Sequence, residues 1–185
     1  MNYRSIGYFD RLPVIVTALI GAGILSGVGL VKSLGGLDRS SSGILFWFGP
    51  GLWFGLVTAP MLARHLRGRW AGALIWIGFS IGSWFVAMNV YMMSINMNDE
   101  TFGFWAMALA GTAGGLLLAI AQKILVVGVS LKRLGLVGAL GGVLGIAMWA
   151  ILFNGSSSES RSPWVYGLAF AVWQLGVGLA IVYRK

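Results

Sequence analysis

The residues of this chain that could do chemistry are few and unevenly placed. From Met88 to Met97 the sequence reads MNVYMMSINM, and Met88/Met92 and Met93/Met97 are i, i+4 pairs. On a helix that spacing puts side chains on one face, and thioether sulfurs are soft ligands suited to Cu(I). The same methionines would serve equally as flexible core filler. Asn89 adds an amide to the cluster. Gln174 lies inside an apolar run, where an amide needs hydrogen-bond partners on another helix or on a ligand. Gly49-Pro50-Gly51 interrupts a second run. Proline removes a backbone donor and the glycines ease distortion, so this tripeptide is either a simple kink or the broken backbone of a binding site. Trp53, Trp76 and Trp173 fall mid-run, where an indole N–H wants an acceptor. They face lipid, fill the core, or line a cavity for a flat or apolar ligand. Pro50, Gly51, Trp53, Trp76, Asn89 and Gln174 form the candidate ligand set, and Met88, Met92, Met93 and Met97 the candidate metal set.

The missing residue types narrow the chemistry further. There is no cysteine, which removes disulfides, thiolate metal sites and thiol nucleophiles. The single histidine, His65, sits in a basic segment, so neither a bis-histidine haem nor an intramembrane Ser/His pair can form within one chain. No apolar run carries Asp, Glu, Lys, Arg or His near its centre. Proton relays, ion-coupled carriers and intramembrane hydrolases depend on such groups. The sequence therefore predicts a non-enzymatic protein that needs no cofactor.

The elements that must position these residues are six apolar runs, at about 12–31, 44–63, 70–92, 102–121, 134–153 and 164–182. Each is ~20 residues, enough to cross ~30 Å of hydrocarbon at ~1.5 Å per residue. The chain is 58% hydrophobic and 10% charged, with a mean hydropathy of +0.85. So few charges cannot coat a water-facing surface. The expected fold is an all-α integral membrane protein, a compact bundle of six transmembrane helices in a single domain, 1–185. The first run lacks a convincing cleavage site and is read as an anchor. The stretches 32–43, 94–100 and 154–163 read as loops. Residues 122–133 either extend the fourth run or lie in the interface. Asn154-Gly155-Ser156 matches a glycosylation sequon.

Charge sets the orientation. Six crossings put Arg4, Arg11, Arg64, Arg67, Arg69, Lys123, Lys132, Arg133, Arg184 and Lys185 on one side, and only Lys32, Arg39 and Arg161 on the other. The excess of basic residues marks the cytoplasmic side, so both termini are expected there. The expected location is a bacterial inner membrane. The net charge of +8 is spread over run ends instead of one face, which favours anionic headgroups over nucleic acid. Trp47, Trp105, Trp164 and Trp70 fall at run ends as interface anchors.

Glycine dominates the interior of the runs. Gly23/Gly27, Gly51/Gly55, Gly78/Gly82, Gly111/Gly115, Gly138/Gly142 and Gly141/Gly145 are all G-x-x-x-G pairs. Such pairs let helix backbones approach closely, either within the chain or against a partner.

Two short resemblances follow from these residues. The M-x-x-x-M spacing at Met88–Met97 resembles that of copper-transporter family helices and would imply Cu(I) transport. Those chains have three spans and a metal-binding tail, which this sequence does not share. Six runs, short loops and Ala18-x-x-x-Ala22 are similar to the substrate-binding subunits of energy-coupling-factor vitamin transporters, with the alanine pair as the docking motif. That likeness implies a small-molecule-binding component of a transport system, taking a neutral or aromatic ligand. The second functional expectation is a structural or assembly subunit of a larger membrane complex. Partners are then the lipid bilayer and other membrane subunits.

Overall fold

A computed structural model describes residues 12–34, 39–95, 100–126, 129–153 and 162–182. Among these the chain is all-helical: α1 Leu12–Leu34, α2 Arg39–Leu62, α3 Trp70–Ile95, α4 Glu100–Leu125, α5 Leu131–Phe153 and α6 Pro163–Val182. The stretches Leu12–Gly29, Trp70–Ser94, Gly103–Leu125, Leu131–Leu152 and Pro163–Val182 are five helices long and apolar enough to cross a membrane. The remaining helix, α2, opens on Arg39 and three serines and continues through Pro50 and Pro60.

The helices reach further than the apolar runs. α1 continues to Leu34 and α2 begins at Arg39, so much of the expected 32–43 loop is helical. α3 likewise continues to Ile95, and Ser94 Oγ donates to Val90 O (2.7 Å), following the helix instead of breaking it. Lys, Arg and Ser are tolerated in terminal turns, where backbone groups lack intrahelical partners anyway. Residues 122–125 extend α4, and 131–133 open α5. The head 1–11, the sequon at Asn154, Met97, and Arg161, Arg184 and Lys185 lie outside the described residues.

Each helix packs on its sequence neighbours and α1 closes on α6, giving a ring; α6 also touches α2 and α4. Glycine sets the tightest approaches. A methyl at Gly23 or Gly27 would strike the α6 backbone at Ala171 or Gly167. One at Gly111 would strike Gly141 O, one at Gly145 would strike Met107 O, and one at Gly115 would lie 2.7 Å from Val137 O. Gly51 would meet Ser80 O at 2.6 Å and Gly55 would meet Ile77 Cα at 3.0 Å. Gly138 faces the Leu116 side chain and Gly142 the Thr112 hydroxyl. Gly78 and Gly82 face open space instead.

One end of the ring is closed. Leu19, Leu62, Trp76, Leu118, Val137, Val177 and Ile181 form its core. Trp76 is fully buried and its indole N–H donates to Thr58 Oγ1 (2.8 Å), while the threonine proton goes on to Phe54 O (2.7 Å). At that end the α2–α3 turn is tied to α4: Leu66 pairs with Val126, and Arg67 N–H donates to Leu125 O (2.8 Å). Gly68 and Arg69 complete the turn at φ 73° and 42°. The left-handed region costs an arginine ~1–2 kcal/mol, which the fixed turn must offset.

Candidate binding cavity

The other half of the ring is not filled. A cavity of about 230 Å³ lies among α2, α3, α4, α5 and α6. Its walls follow helical periodicity. α3 contributes Ser80, Ser83, Trp84, Ala87, Met88 and Tyr91, all on one face, with Met92 beside them. α6 contributes Tyr166, Phe170, Trp173 and Gln174. α4 adds Met107, Ala110, Gly111, Gly114 and Leu118, α5 adds Gly145, Met148 and Leu152, and α2 adds Pro50, Gly51 and Phe54. The aromatic walls meet at a tilt of 58°: Trp84 and Phe170 have ring centroids 5.2 Å apart, and Phe54 and Trp173 6.1 Å.

The polar groups concentrate beside Pro50. The Gln174 amide nitrogen donates to Ser26 Oγ (2.9 Å) on α1 and to Pro50 O (3.3 Å) on α2. Ser80 Oγ donates to Gly51 O (2.8 Å). Two successive α2 carbonyls thus accept side-chain bonds from α6 and α3, which their second lone pairs allow. Ser83 Oγ donates to Ser80 O (2.9 Å), and the Trp173 indole N–H to Gly141 O (3.3 Å). Gln174 Oε1 is buried and accepts nothing among the described residues. Among the described residues no charged side chain lines the space.

The candidate ligand set divides. Pro50, Gly51 and Gln174 meet at the cavity. Trp76 belongs to the closed core, Trp53 is on the outer surface, and Asn89 Nδ2 bonds back to Phe85 O (2.8 Å) on its own helix. The methionine cluster divides too. Met88 and Met92 reach the cavity, whereas Met93 is 72% exposed and points away. Met107 and Met148, from other helices, line the same space. Ala22, half of the small-residue pair on α1, is buried inside the bundle.

Sequence reasoning missed Trp84, Tyr91, Met107, Met148, Tyr166 and Phe170. A signal existed for four of them. Trp84/Met88/Tyr91 and Tyr166/Phe170/Trp173 repeat the same i, i+4, i+7 spacing on two helices, which marks a single large-residue face on each.

Comparison with known protein families, curated proteins and solved structures found no match, so geometry and chemistry carry the functional reading.

Proposed function

We propose that this chain is a non-catalytic membrane protein of six crossings with both termini in the cytoplasm. It binds a small uncharged molecule in the α2–α6 cavity as a component of a transport system. One observation carries the reading: an apolar, aromatic-walled cavity of about 230 Å³ with a few converging polar groups beside Pro50. Such a space is the default form of a small-molecule site.

The membrane part has separate support. Large apolar side chains cover the outside, among them Leu74, Leu136, Val143 and Leu168, while glycines, alanines and serines occupy helix contacts inside. A water-facing monomer seldom exposes so much contiguous apolar surface. α2, with 24 residues, is long enough at ~1.5 Å per residue to make the sixth crossing. Trp70, Trp105 and Trp164 are exposed at helix ends, as interface anchors are. The ten-to-three split of Lys and Arg sets the orientation. Because the chain has no cysteine, single His65→Cys and Ser162→Cys variants test it directly. An impermeant thiol reagent should label Cys at position 162 from outside intact cells and leave position 65 unlabelled; the reverse pattern overturns the orientation.

The alternative, a structural subunit, is favoured by Gly78 and Gly82, whose small-residue face on α3 meets nothing among the described residues. Native mass spectrometry after gentle extraction separates the two. A lone chain with a small non-lipid adduct supports the transport-type component, and co-purifying chains support the subunit.

A further inference from the structure

We infer that the cavity selects an uncharged aromatic molecule of about two fused rings that donates one hydrogen bond to Gln174 Oε1. This rests on the binding role proposed above and names the ligand class that role requires.

The orientation of the Gln174 amide is fixed by its partners. Pro50 O can only accept. Ser26 Oγ has already given its proton to Ala22 O (2.7 Å), so toward Gln174 it also accepts. Both partners therefore demand the NH₂ group, and exchanging the amide oxygen and nitrogen would set acceptor against acceptor twice. Gln174 is 1% exposed, lines the cavity, and keeps a buried Oε1 without a donor among the described residues, so a ligand donor reaches it as the side chain turns toward the space. A buried acceptor left unmade is costly, so whatever fills the space gains by donating to it.

The other polar groups near Gln174 have no proton to offer. The Ser80 and Ser83 hydroxyls and the Trp173 indole N–H are all directed at backbone carbonyls. A ligand carbonyl would find no free donor there, while a ligand N–H or O–H finds Oε1. Tyr91 and Tyr166 also line the space, but Tyr166 lies roughly 12 Å from Gln174 along α6 and Tyr91 roughly 16 Å from Ser80 along α3, at ~1.5 Å per residue. A charged ligand is disfavoured because no countercharge lines the walls among the described residues. Size follows from volume. An apolar cavity of ~150 Å³ accommodates benzene, and this one has about 230 Å³, room for a second fused ring. Trp84, Phe170 and Trp173 supply aromatic faces, and the flexible thioethers of Met88, Met107 and Met148 can close around a flat molecule.

The test uses the full chain in detergent with two probes of the same shape. Indole carries the N–H donor; benzofuran replaces it with an oxygen that can only accept. Ligand-induced shifts of thermal unfolding give both affinities. Gly114→Val fills the space, since a Cβ at Gly114 already fits with its nearest neighbour, Ala87 Cβ, at 3.4 Å; it serves as the control for partition into detergent. Indole should bind about tenfold tighter than benzofuran, and Gly114→Val should abolish both shifts. Gln174→Leu should bring the two affinities within about twofold. Equal binding of the two probes to the unaltered chain overturns the donor assignment while leaving a binding cavity standing. Shifts that survive Gly114→Val, or no binding by either probe, overturn the cavity as the site altogether. The comparison on the unaltered chain decides the matter even where Gln174→Leu does not fold.

Discussion

Two buried glutamines in this molecule look alike and sit in opposite surroundings. Gln122 and Gln174 are 0% and 1% exposed, each donates through its amide nitrogen to another helix, and each keeps Oε1 without a donor among the described residues. Gln122 lies at the closed end. It donates to Ile181 O (2.7 Å), where Arg133 also donates to Ala180 O (2.5 Å) and Ile181 O (3.3 Å). These bonds satisfy carbonyls in the last turn of α6, which have no intrahelical donor. Near Gln122 in the chain and at its acceptor, Leu118, Ala119, Leu125 and Ile181 belong to the buried core, and Gln122 does not line the cavity. Gln174 uses the same chemistry beside about 230 Å³ of free space. An unmade acceptor is therefore not a site by itself. It becomes one where packing leaves room for a molecule to reach it.

That contrast can be broken or sharpened by substitution, with equilibrium unfolding in detergent as the common measurement. The largest effect is expected from Trp76→Ala, which empties a well-packed position in the closed core and should cost ~3–5 kcal/mol. Trp84→Ala only enlarges a space that already exists and should cost less than half as much; equal losses would mean the cavity end is packed as tightly as the closed end. Next comes Gly111→Ala. Its methyl would press on the Gly141 carbonyl, and overpacking of this kind should cost ~1–3 kcal/mol. Gln122→Leu and Gln174→Leu should each cost ~0.6–1.7 kcal/mol, the range of side-chain hydrogen bonds within membranes. They should separate in function: only Gln174→Leu should change the indole-to-benzofuran ratio. The smallest effect is expected from Gly82→Ala, where no described residue lies within 4 Å. Stability should stay within ~0.5 kcal/mol of the parent. A clear loss would show that this face is covered in solution.

Part of the cavity could be read without coordinates. Pro50, Gly51 and Gln174 stand out because proline, glycine and an amide are anomalous inside an apolar helix, and all three reach the same space. Trp53, Trp76 and Asn89 were anomalous for the same kind of reason and lie elsewhere. Rarity of type marks a residue as needing an explanation, and a place on the outer surface, a buried threonine or the residue's own helix each supply one. Met93 makes the same point against Met88: the two are close in sequence, yet their helical angles send one outward and one into the bundle.

Length of apolar run, placement of charge and absence of catalytic residue types are properties of the chain in one dimension. They settle the helical class and the membrane-compatible character of five helices, because hydrocarbon thickness and backbone hydrogen bonding act on each segment separately. Which face of each helix turns inward is different. A helix apolar all round has no polar stripe to reveal its orientation, and lipid and protein interior ask for the same side chains. That choice was left to close packing between helices. Gly23 against Ala171 and Gly111 against Gly141 bring α1 to α6 and α4 to α5. The cavity beside Gln174 lies among α2–α6, a space no single segment encodes.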